Sequence, residues 1–254
     1  MSSPDELLAE AASIPLAGWD FSVLGDRFRL EPPPWSFPAI VEELFDATGR
    51  LLDMGTGGGE WLASLNGRSA EVVATESWPP NVPIAVARLR PLGISVVQNE
   101  AATDNVLQSV TEPKGRLPFR AAAFDLVTNR HESFFAGEVR RVLTRGGIFV
   151  TQQANSGSAR FHDLLGLEAP TSEEFSLPLA IDQLTRAGFE IEEAEEGIAT
   201  TTFEDIGALA WYLTNVPWAV PDFSVARYRD ALLGLAGEPI AVPSARFWLR
   251  ARTR

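Results

Sequence analysis

The sequence predicts an α/β protein built on a doubly wound sheet. Short runs rich in β-branched residues alternate with helical patterns, which is typical of a mostly parallel sheet covered by helices. The predicted strand at 50–54 runs directly into a glycine-rich turn at 55–59, and glycine leaves room there for a ligand against the backbone. With 254 residues, 45% of them apolar, the chain is long enough to bury the core of such a sheet.

The middle of the chain alternates strands and helices. Strands are predicted at 50–54, 70–75, 94–97, 124–128 and 148–151, and helices at 37–47, 60–65, 81–90 and 138–144. Gly146 and Gly147 are expected to end the last of these helices, because glycine readily adopts the left-handed conformation of a helix C-cap. Later elements are predicted at 177–187, 189–194, 205–213, 225–235 and 245–251.

The whole chain, 1–254, is predicted to form one domain. Residues 1–47 are expected to be a cover, 48–153 the cofactor-binding core, and 154–254 a substrate-side half with a helical lid at about 203–238. The fold class is therefore a Rossmann-like, doubly wound α/β sheet of about seven strands with the last strand antiparallel. An N-terminal helical cover and a helical insertion before the last strand are added to this sheet.

The composition excludes several kinds of chemistry. The chain has no cysteine, which excludes disulfides, thiolate zinc sites, iron–sulfur clusters and cysteine nucleophiles. Its two histidines, His131 and His162, are too few for a histidine-built metal centre, so no metal site is predicted. Lys114 is the single lysine and lies in a polar stretch that reads as a solvated loop.

Charge and hydropathy bear on partners and location. The chain has 34 acidic against 21 basic residues, a net charge of −13, which disfavours nucleic acid and favours a small or cationic substrate. No targeting segment and no apolar run of membrane-spanning length is found, so a cytoplasmic protein without membrane contact is expected. Arginines at 246, 250, 252 and 254 are interpreted as a solvated edge of the last strand.

The glycine-rich turn favours a ligand that has no phosphates. A dinucleotide site has the spacing G-x-G-x-x-G and places its pyrophosphate at a helix N-terminus. Here Gly55, Gly57 and Gly59 have the spacing G-x-G-x-G, and Glu60 stands where the last small residue would be. A carboxylate would repel the pyrophosphate, whereas a ligand with a sulfonium cation and an amino acid suits these acidic surroundings.

Segment 51–153 resembles the class I S-adenosylmethionine-dependent methyltransferases, in particular their type 11 group. The resemblance implies S-adenosyl-L-methionine as cofactor, with the glycine loop around its methionine end, Glu76 on the ribose hydroxyls and Glu100 beside the adenine. Two carboxylate oxygens are well suited to accept two hydroxyl protons. The residues assigned to the cofactor are Asp53, Gly55, Thr56, Gly57, Gly59, Glu76, Glu100, Ala101 and Asn129.

Further signatures of this family follow in the right order. They are Leu117-Pro118-Phe119, Phe124-Asp125-Leu126-Val127 and the run from Arg141 to Gly147. The segment 103–116 departs from the family by being longer. Without cysteine, radical chemistry and pyrimidine C5 methylation are excluded, which leaves direct displacement by a substrate atom. The motif that grips base amines in nucleobase methyltransferases is missing after the fourth strand.

Two residues after that strand are candidates for catalysis and substrate binding. His131 titrates near neutrality and could act as a general base, or it could pack or cap the next helix, which is the favoured interpretation. Arg130 could bind a substrate carboxylate or phosphate, or it could pair with Glu132 or Glu138. Trp211 and Tyr212 could line an aromatic substrate pocket in the lid, or form a satellite core.

These observations predict an enzyme that moves a methyl group from S-adenosylmethionine to a heteroatom of a small molecule. The alternatives are an RNA (rRNA) methyltransferase, which would need its arginines gathered on one surface, and a non-catalytic methyltransferase-fold binding protein. The sequence predicts neither the acceptor atom nor the oligomeric state.

Overall fold

The computed structural model describes residues 2–16, 19–67, 71–100, 102–106, 115–155, 160–168 and 175–254. No helix within these ranges has the length and apolar character needed to cross a membrane. The chain divides into two compact units. The core unit comprises Trp35–Ala154, Glu173–Gly197 and Arg246–Arg254, and the helical unit comprises Met1–Pro34, Asn155–Ser172 and Ile198–Ala245.

The elements largely follow the predicted order. The strands are β1 (Phe28–Glu31), β2 (Arg50–Met54), β3 (Glu71–Glu76), β4 (Ser95–Gln98), β5 (Phe124–Arg130), β6 (Leu143–Ala154), β7 (Phe189–Phe203) and β8 (Ile240–Thr253). The α-helices are α1 (Pro4–Ala11), α2 (Phe37–Glu42), α3 (Glu60–Ser64), α4 (Asn81–Leu89), α5 (Ala136–Val142), α6 (Phe161–Leu164), α7 (Leu177–Arg186), α8 (Ile206–Asn215) and α9 (Arg229–Gly234).

The sheet of the core unit has the strand order β7-β8-β6-β5-β2-β3-β4. Strands β2 to β6 run parallel to one another, and β8 is antiparallel to β6. From β2 the chain proceeds outward through β3 and β4, and then returns to β5 on the other side of β2. Ligands bind outside the carboxyl ends of the strands at such a reversal, which here lies between β2 and β5. The predicted α/β fold with an antiparallel last strand is confirmed.

Alternating residues of the central strands build a hydrophobic cluster on each face of this sheet. Leu51 and Leu126 belong to one cluster, while their chain neighbours Leu52 and Val127 belong to the other. All four are almost fully buried. A strand buried on both faces reads as a continuous apolar run, which is why the sequence identifies β2 so clearly.

The helical unit has its own aromatic core. In it, β1 pairs antiparallel with the end of β7, from Phe28 opposite Phe203 to Glu31 opposite Thr200, and α1 packs on α8. Trp211 on α8 is fully buried, and its indole N–H donates to the carbonyl of Ile14 at 2.8 Å. Trp211 therefore has the packing role of a satellite core, and we do not place it at the substrate.

The described part of the chain has eight strands, close to the number of about seven that the sequence predicts. The additional strand is β1, whose four residues have a largely exposed pattern and pair with the end of β7. The predicted end of one helix is wrong. Gly146 and Gly147 do not cap a helix, since α5 ends at Val142 and they lie within β6. Gly146 instead takes its left-handed conformation, with φ of 74°, where the register between β5 and β6 shifts.

The predicted placement of the β8 arginines on a solvated edge is also wrong. This strand is not an edge, because it lies between β7 and β6 in the core unit. Arg250 and Arg252 both pair with Glu192 of β7, and Arg250 also pairs with Glu193. These two arginines thus form ion pairs with acidic residues on the neighbouring strand.

Asp205 provides a stability test for the helical unit. It caps α8 by accepting from the amide of Ala208 at 2.9 Å, and it binds Arg27 through two hydrogen bonds of 2.7 and 2.8 Å. Burial opposes ionisation, but the bonds from Arg27 outweigh it and lower the pKa of Asp205.

We expect Asp205→Ala to reduce the free energy of unfolding by about 1–3 kcal/mol, measured by urea denaturation. Because the folded pKa is depressed, this difference should be present above the pKa of an unfolded aspartate and shrink as the pH falls through the folded value. As a control, Asp182→Ala removes an exposed pair with Arg186 and should cost less than about 0.5 kcal/mol. Equal losses for the two variants would contradict this account.

Candidate active site

The candidate site lies where β2 and β5 end side by side. Met54, the last residue of β2, pairs with Asn129 near the end of β5. The glycine loop follows β2, and the segment from His131 to Ser133 follows β5. The reversal of strand order therefore brings together the two segments that the sequence selects independently.

The glycine loop uses backbone conformations that only glycine adopts freely. Gly55, Gly57 and Gly59 have φ values of 68°, 63° and 81°, in the left-handed region that costs other residues about 1–2 kcal/mol. A Cβ atom on Gly55 would overlap the side chain of Glu132, and one on Gly59 would lie 2.8 Å from Leu89. The amide of Thr56 donates to the carbonyl of Thr75 at 2.9 Å, which attaches the loop to β3.

Glu76, the predicted ribose ligand, also supports the glycine loop. Its side chain is 3% exposed, and its two oxygens accept from the amides of Gly57 at 2.6 Å and Trp78 at 2.8 Å. Burial raises the pKa of Glu76. Asn81 and Ser77 also act on this carboxylate as donors, so ligand hydroxyls would share its two oxygens with these groups and with the loop.

Asp53 is a buried acid with one oxygen unused. It is 1% exposed, and its Oδ1 atom accepts from the Thr128 hydroxyl at 2.8 Å. No hydrogen bond reaches its Oδ2 atom from the described part of the chain. Burial raises the pKa of Asp53 to about 7. Such a buried carboxylate is stabilised by any cation that binds beside it.

Glu132 is the acid of this site that the sequence analysis missed. Its side chain lies against Gly55, and burial together with the charge of Glu76 raises its pKa to about 7. The sequence suggests Glu132 only as a partner of Arg130. Among the described ion pairs, Arg130 pairs neither with Glu132 nor with Glu138, which pairs with Arg141. The position of Glu132 two residues after a central strand, close to the same edge as Glu76 at the end of β3, was the available signal.

Asn129 belongs to a buried polar network between β5 and β6. Its Oδ1 atom accepts from the Thr151 hydroxyl at 2.9 Å and from the side-chain Nε2 atom of Gln153 at 2.6 Å. Its Nδ2 atom is buried and has no hydrogen-bond partner among the described residues. The side-chain oxygen of Asn129 is therefore already hydrogen-bonded within the sheet, and its amide nitrogen is the atom that can bind a ligand.

Two further assigned residues follow β4. Glu100 lines a small recess together with Met54, Thr75 and Glu132, which puts it on the same edge of the sheet as the glycine loop. Its neighbour Ala101 lies outside the described residues.

His131 occupies a strained position after β5. Its φ of 64° is in the left-handed region, and its amide donates to the carbonyl of Gln152 at 2.9 Å. His131 does not cap the next helix, because the N-cap residue of α5 is Phe135. The residue keeps contact with solvent, but protein atoms surround its ring, and this desolvation together with the charges of Arg246 and Arg130 lowers the pKa of His131 well below its usual value. Backbone strain of this kind is concentrated at functional sites.

The site fits a cationic ligand without phosphates. Asp53, Glu76 and Glu132 surround the loop with carboxylates, two of them with pKa values raised to about 7. Asp53 Oδ2 and Asn129 Nδ2 are buried polar atoms that lack partners among the described residues, and a bound ligand would satisfy them. S-adenosylmethionine matches these features through its sulfonium, its amino acid group and its ribose hydroxyls.

The chain has the Rossmann-like α/β fold that S-adenosylmethionine-dependent methyltransferases share. Residues 52–151 match the family model described as a methyltransferase domain. The matched segment contains the glycine loop, Glu76 and the end of β5, and the resemblance found in the sequence is confirmed. No curated protein sequence matches the chain.

Solved structures share the fold at low identity. A protein from Bacillus halodurans C-125 described as a methyltransferase has a TM-score of 0.57 at 18% identity, with 86% of this chain and 99% of that chain covered. YcgJ from Bacillus subtilis has a TM-score of 0.55 at 16% identity, covering 85% and 97%. The 4+2 cyclase SpnF has a TM-score of 0.52 at 19% identity, covering 98% and 92%. Because one of these is named a cyclase, the fold alone does not define the reaction.

Proposed function

We propose that this chain transfers a methyl group from S-adenosylmethionine to a heteroatom of a small molecule. When bound, this cofactor supplies a methyl group on a positively charged sulfur, so that a substrate lone pair forms the new bond while the carbon–sulfur bond breaks and its electron pair stays on sulfur. The observation that carries the proposal is the pair of buried carboxylates, Asp53 and Glu76, beside a loop of left-handed glycines.

Each of these residues has a task in cofactor binding. The loop from Gly55 to Gly59 and the unused oxygen of Asp53 would hold the methionine end, and Glu76 would accept from the ribose hydroxyls. Glu100, on the same edge, would lie beside the adenine. Because the methyl group is already activated, the protein must mainly align the two reactants and exclude water.

A small-molecule acceptor is favoured over RNA because arginines at the basic end of the chain form ion pairs with acidic side chains. Arg250 and Arg252 are paired with Glu192 and Glu193, so the basic end of the chain is not an open phosphate-binding surface. The net charge of −13 adds a long-range repulsion of nucleic acid. The intact glycine loop argues against a protein that has lost cofactor binding.

The acceptor class is tested by incubating the protein with methyl-labelled S-adenosylmethionine and either a metabolite extract or an RNA fraction. We expect label in the small-molecule fraction, with little dependence on salt. Glu76→Ala should abolish this transfer, and Asp182→Ala, at an exposed position of α7, should not change it. Label in RNA would overturn the acceptor class, and label in neither fraction would overturn methyl transfer.

Cofactor affinity should depend on pH in a defined direction. The pKa values of Asp53 and Glu132 are raised to about 7, so both groups ionise as the pH rises from 6 to 8, and their negative charge then attracts the sulfonium. We expect the affinity for S-adenosylmethionine to rise about tenfold per group over this interval, measured by calorimetry.

S-adenosylhomocysteine is the matched control because its sulfur carries no charge, and its affinity should change less. Asp53→Asn should remove part of the pH dependence seen with S-adenosylmethionine. The same pH dependence for both ligands would show that these carboxylates do not interact with the sulfonium.

A further inference from the structure

A chain of polar groups leads from Trp35 through Gln152 to His131, all within the core unit. The indole N–H of Trp35 donates to Gln152 Oε1 at 2.8 Å, and Gln152 Nε2 lies 3.3 Å from His131 Nε2. Gln152 is almost fully buried, with 6% of its surface exposed. An indole nitrogen can only donate, so the Gln152 oxygen must face Trp35 and its NH₂ group must face the imidazole.

This arrangement determines the tautomer of His131. Because the NH₂ group of Gln152 only donates, His131 Nε2 must accept, and the neutral ring then carries its proton on Nδ1. No described residue forms a hydrogen bond with Nδ1. The backbone of His131 is left-handed, and its N–H donates a hydrogen bond to the Gln152 carbonyl. Both features hold the residue at the carboxyl end of β5.

The charges around His131 oppose its protonation. Arg130 precedes it and pairs in register with Gln152, and Arg246 on β8 pairs with Ala154 on β6. The positive charges of both arginines add to desolvation in lowering the pKa of the His131 ring. Glu132 follows His131 in the chain, and the negative charge of Asp53 favours the charged form of Arg130. With Nε2 occupied and cations close by, His131 is a poor general base, which disfavours that alternative for its role.

We infer that His131 is a fixed hydrogen-bond donor, through Nδ1, to an anionic oxygen of the methyl acceptor, with Trp35 and Gln152 as positioning residues. The inference rests on the proposed function and names its substrate class: a small molecule with a carboxylate or an ionised phenol. Arg130 and Arg246 favour the anion of such a molecule, so the nucleophile is already deprotonated when it binds and needs no base.

The tautomer can be measured in the protein without cofactor. With ring ¹⁵N-labelled histidine, the spectrum contains two imidazoles, and His162→Gln identifies the signals of His131. We expect a proton on Nδ1, an unprotonated Nε2 and no titration of His131 between pH 6 and 8. Trp35→Phe removes the donor that orients the Gln152 amide, so the Nε2–H tautomer should appear. A proton on Nε2, or an imidazolium at pH 7, would overturn the assignment.

The substrate class is tested with simple probes in the presence of S-adenosylhomocysteine. Benzoate and 4-nitrophenolate should shift the Nδ1–H signal of His131, and neutral benzyl alcohol should shift it at least tenfold less at equal concentration. The absence of a shift with both anions, or an equal shift with the alcohol, would contradict an anionic acceptor. Because S-adenosylhomocysteine binding is measured separately, a negative result here is distinct from failure of the proposed function.

His131→Asn and His131→Asp form a matched pair of variants. Both residues tolerate left-handed backbone, but only asparagine retains an N–H donor close to the position of Nδ1. We expect His131→Asn to bind 4-nitrophenolate within about fivefold of the wild type and His131→Asp to lose at least tenfold, a contrast that a purely structural role would not produce. Equal affinities in the two variants would contradict the inference.

Discussion

Replacing Glu76 with alanine should lower the affinity for S-adenosylhomocysteine by two to three orders of magnitude. The substitution removes the two oxygens proposed for the ribose hydroxyls, and hydrogen bonds to charged groups contribute about 1.5–3 kcal/mol each. It also leaves the amides of Gly57 and Trp78 without the acceptor that they have in the structure. Calorimetric titration of the wild type and Glu76→Ala measures this difference.

Glu76→Gln is the matched control for this prediction. It has the same shape and keeps one acceptor oxygen, so its affinity should lie between those of the wild type and the alanine variant. If Glu76→Ala bound S-adenosylhomocysteine within fivefold of the wild type, the ribose assignment would be wrong.

Gly55→Ala should both destabilise the core unit and abolish cofactor binding. The new Cβ atom would be held at a φ of 68°, and it would overlap the inner atoms of the Glu132 side chain, which cannot move away by rotating the carboxylate alone. We expect the free energy of unfolding to fall by about 2–4 kcal/mol from left-handed strain and overpacking combined, measured by urea denaturation, and calorimetry should detect no S-adenosylhomocysteine binding.

Gly93→Ala separates these two effects. Gly93 has a φ of 76°, but a Cβ atom there would meet nothing within 4 Å. This variant therefore has the strain without the overlap and should lose only about 1–2 kcal/mol, with normal ligand binding. Equal losses of unfolding free energy and equal ligand binding in the two variants would mean that the close packing of Glu132 against Gly55 affects neither stability nor binding.

The sequence predicts the parts of the fold that depend on local pattern. The continuous apolar run of β2 and the glycines after it are visible without tertiary contacts, and so is the acid at the end of β3. Together they led to Asp53 and Glu76, which the structure places on one edge of the sheet. The strand order then explains why they meet, since β2 lies between β5 and β3.

Features that depend on pairing between distant segments could not be predicted. Strand β1 needs the end of β7 as its partner, and the role of Gly146 depends on the register between β5 and β6. The connection from Trp35 to His131 likewise requires residues far apart in the chain to meet across the sheet. Glu132 acquires its raised pKa from burial and from Glu76, neither of which is visible in its own sequence neighbourhood.

The helices predicted as a lid are present as α8 and α9 in the helical unit. Tyr212 on α8 packs among Phe21, Phe28, Phe161 and Phe203, as a satellite core would. Closure of segment 203–238 over bound substrate stays a prediction, as does a substrate contact by Tyr212. Limited proteolysis with and without S-adenosylhomocysteine tests closure, which should protect this segment.

The central claim is that the glycine loop and its carboxylates bind S-adenosylmethionine rather than a dinucleotide. Its most direct test is calorimetric titration of the wild-type protein with S-adenosylhomocysteine and, separately, with NAD. We expect saturable binding of S-adenosylhomocysteine at one site per chain and no binding of NAD. Binding of NAD with no heat from S-adenosylhomocysteine would contradict it.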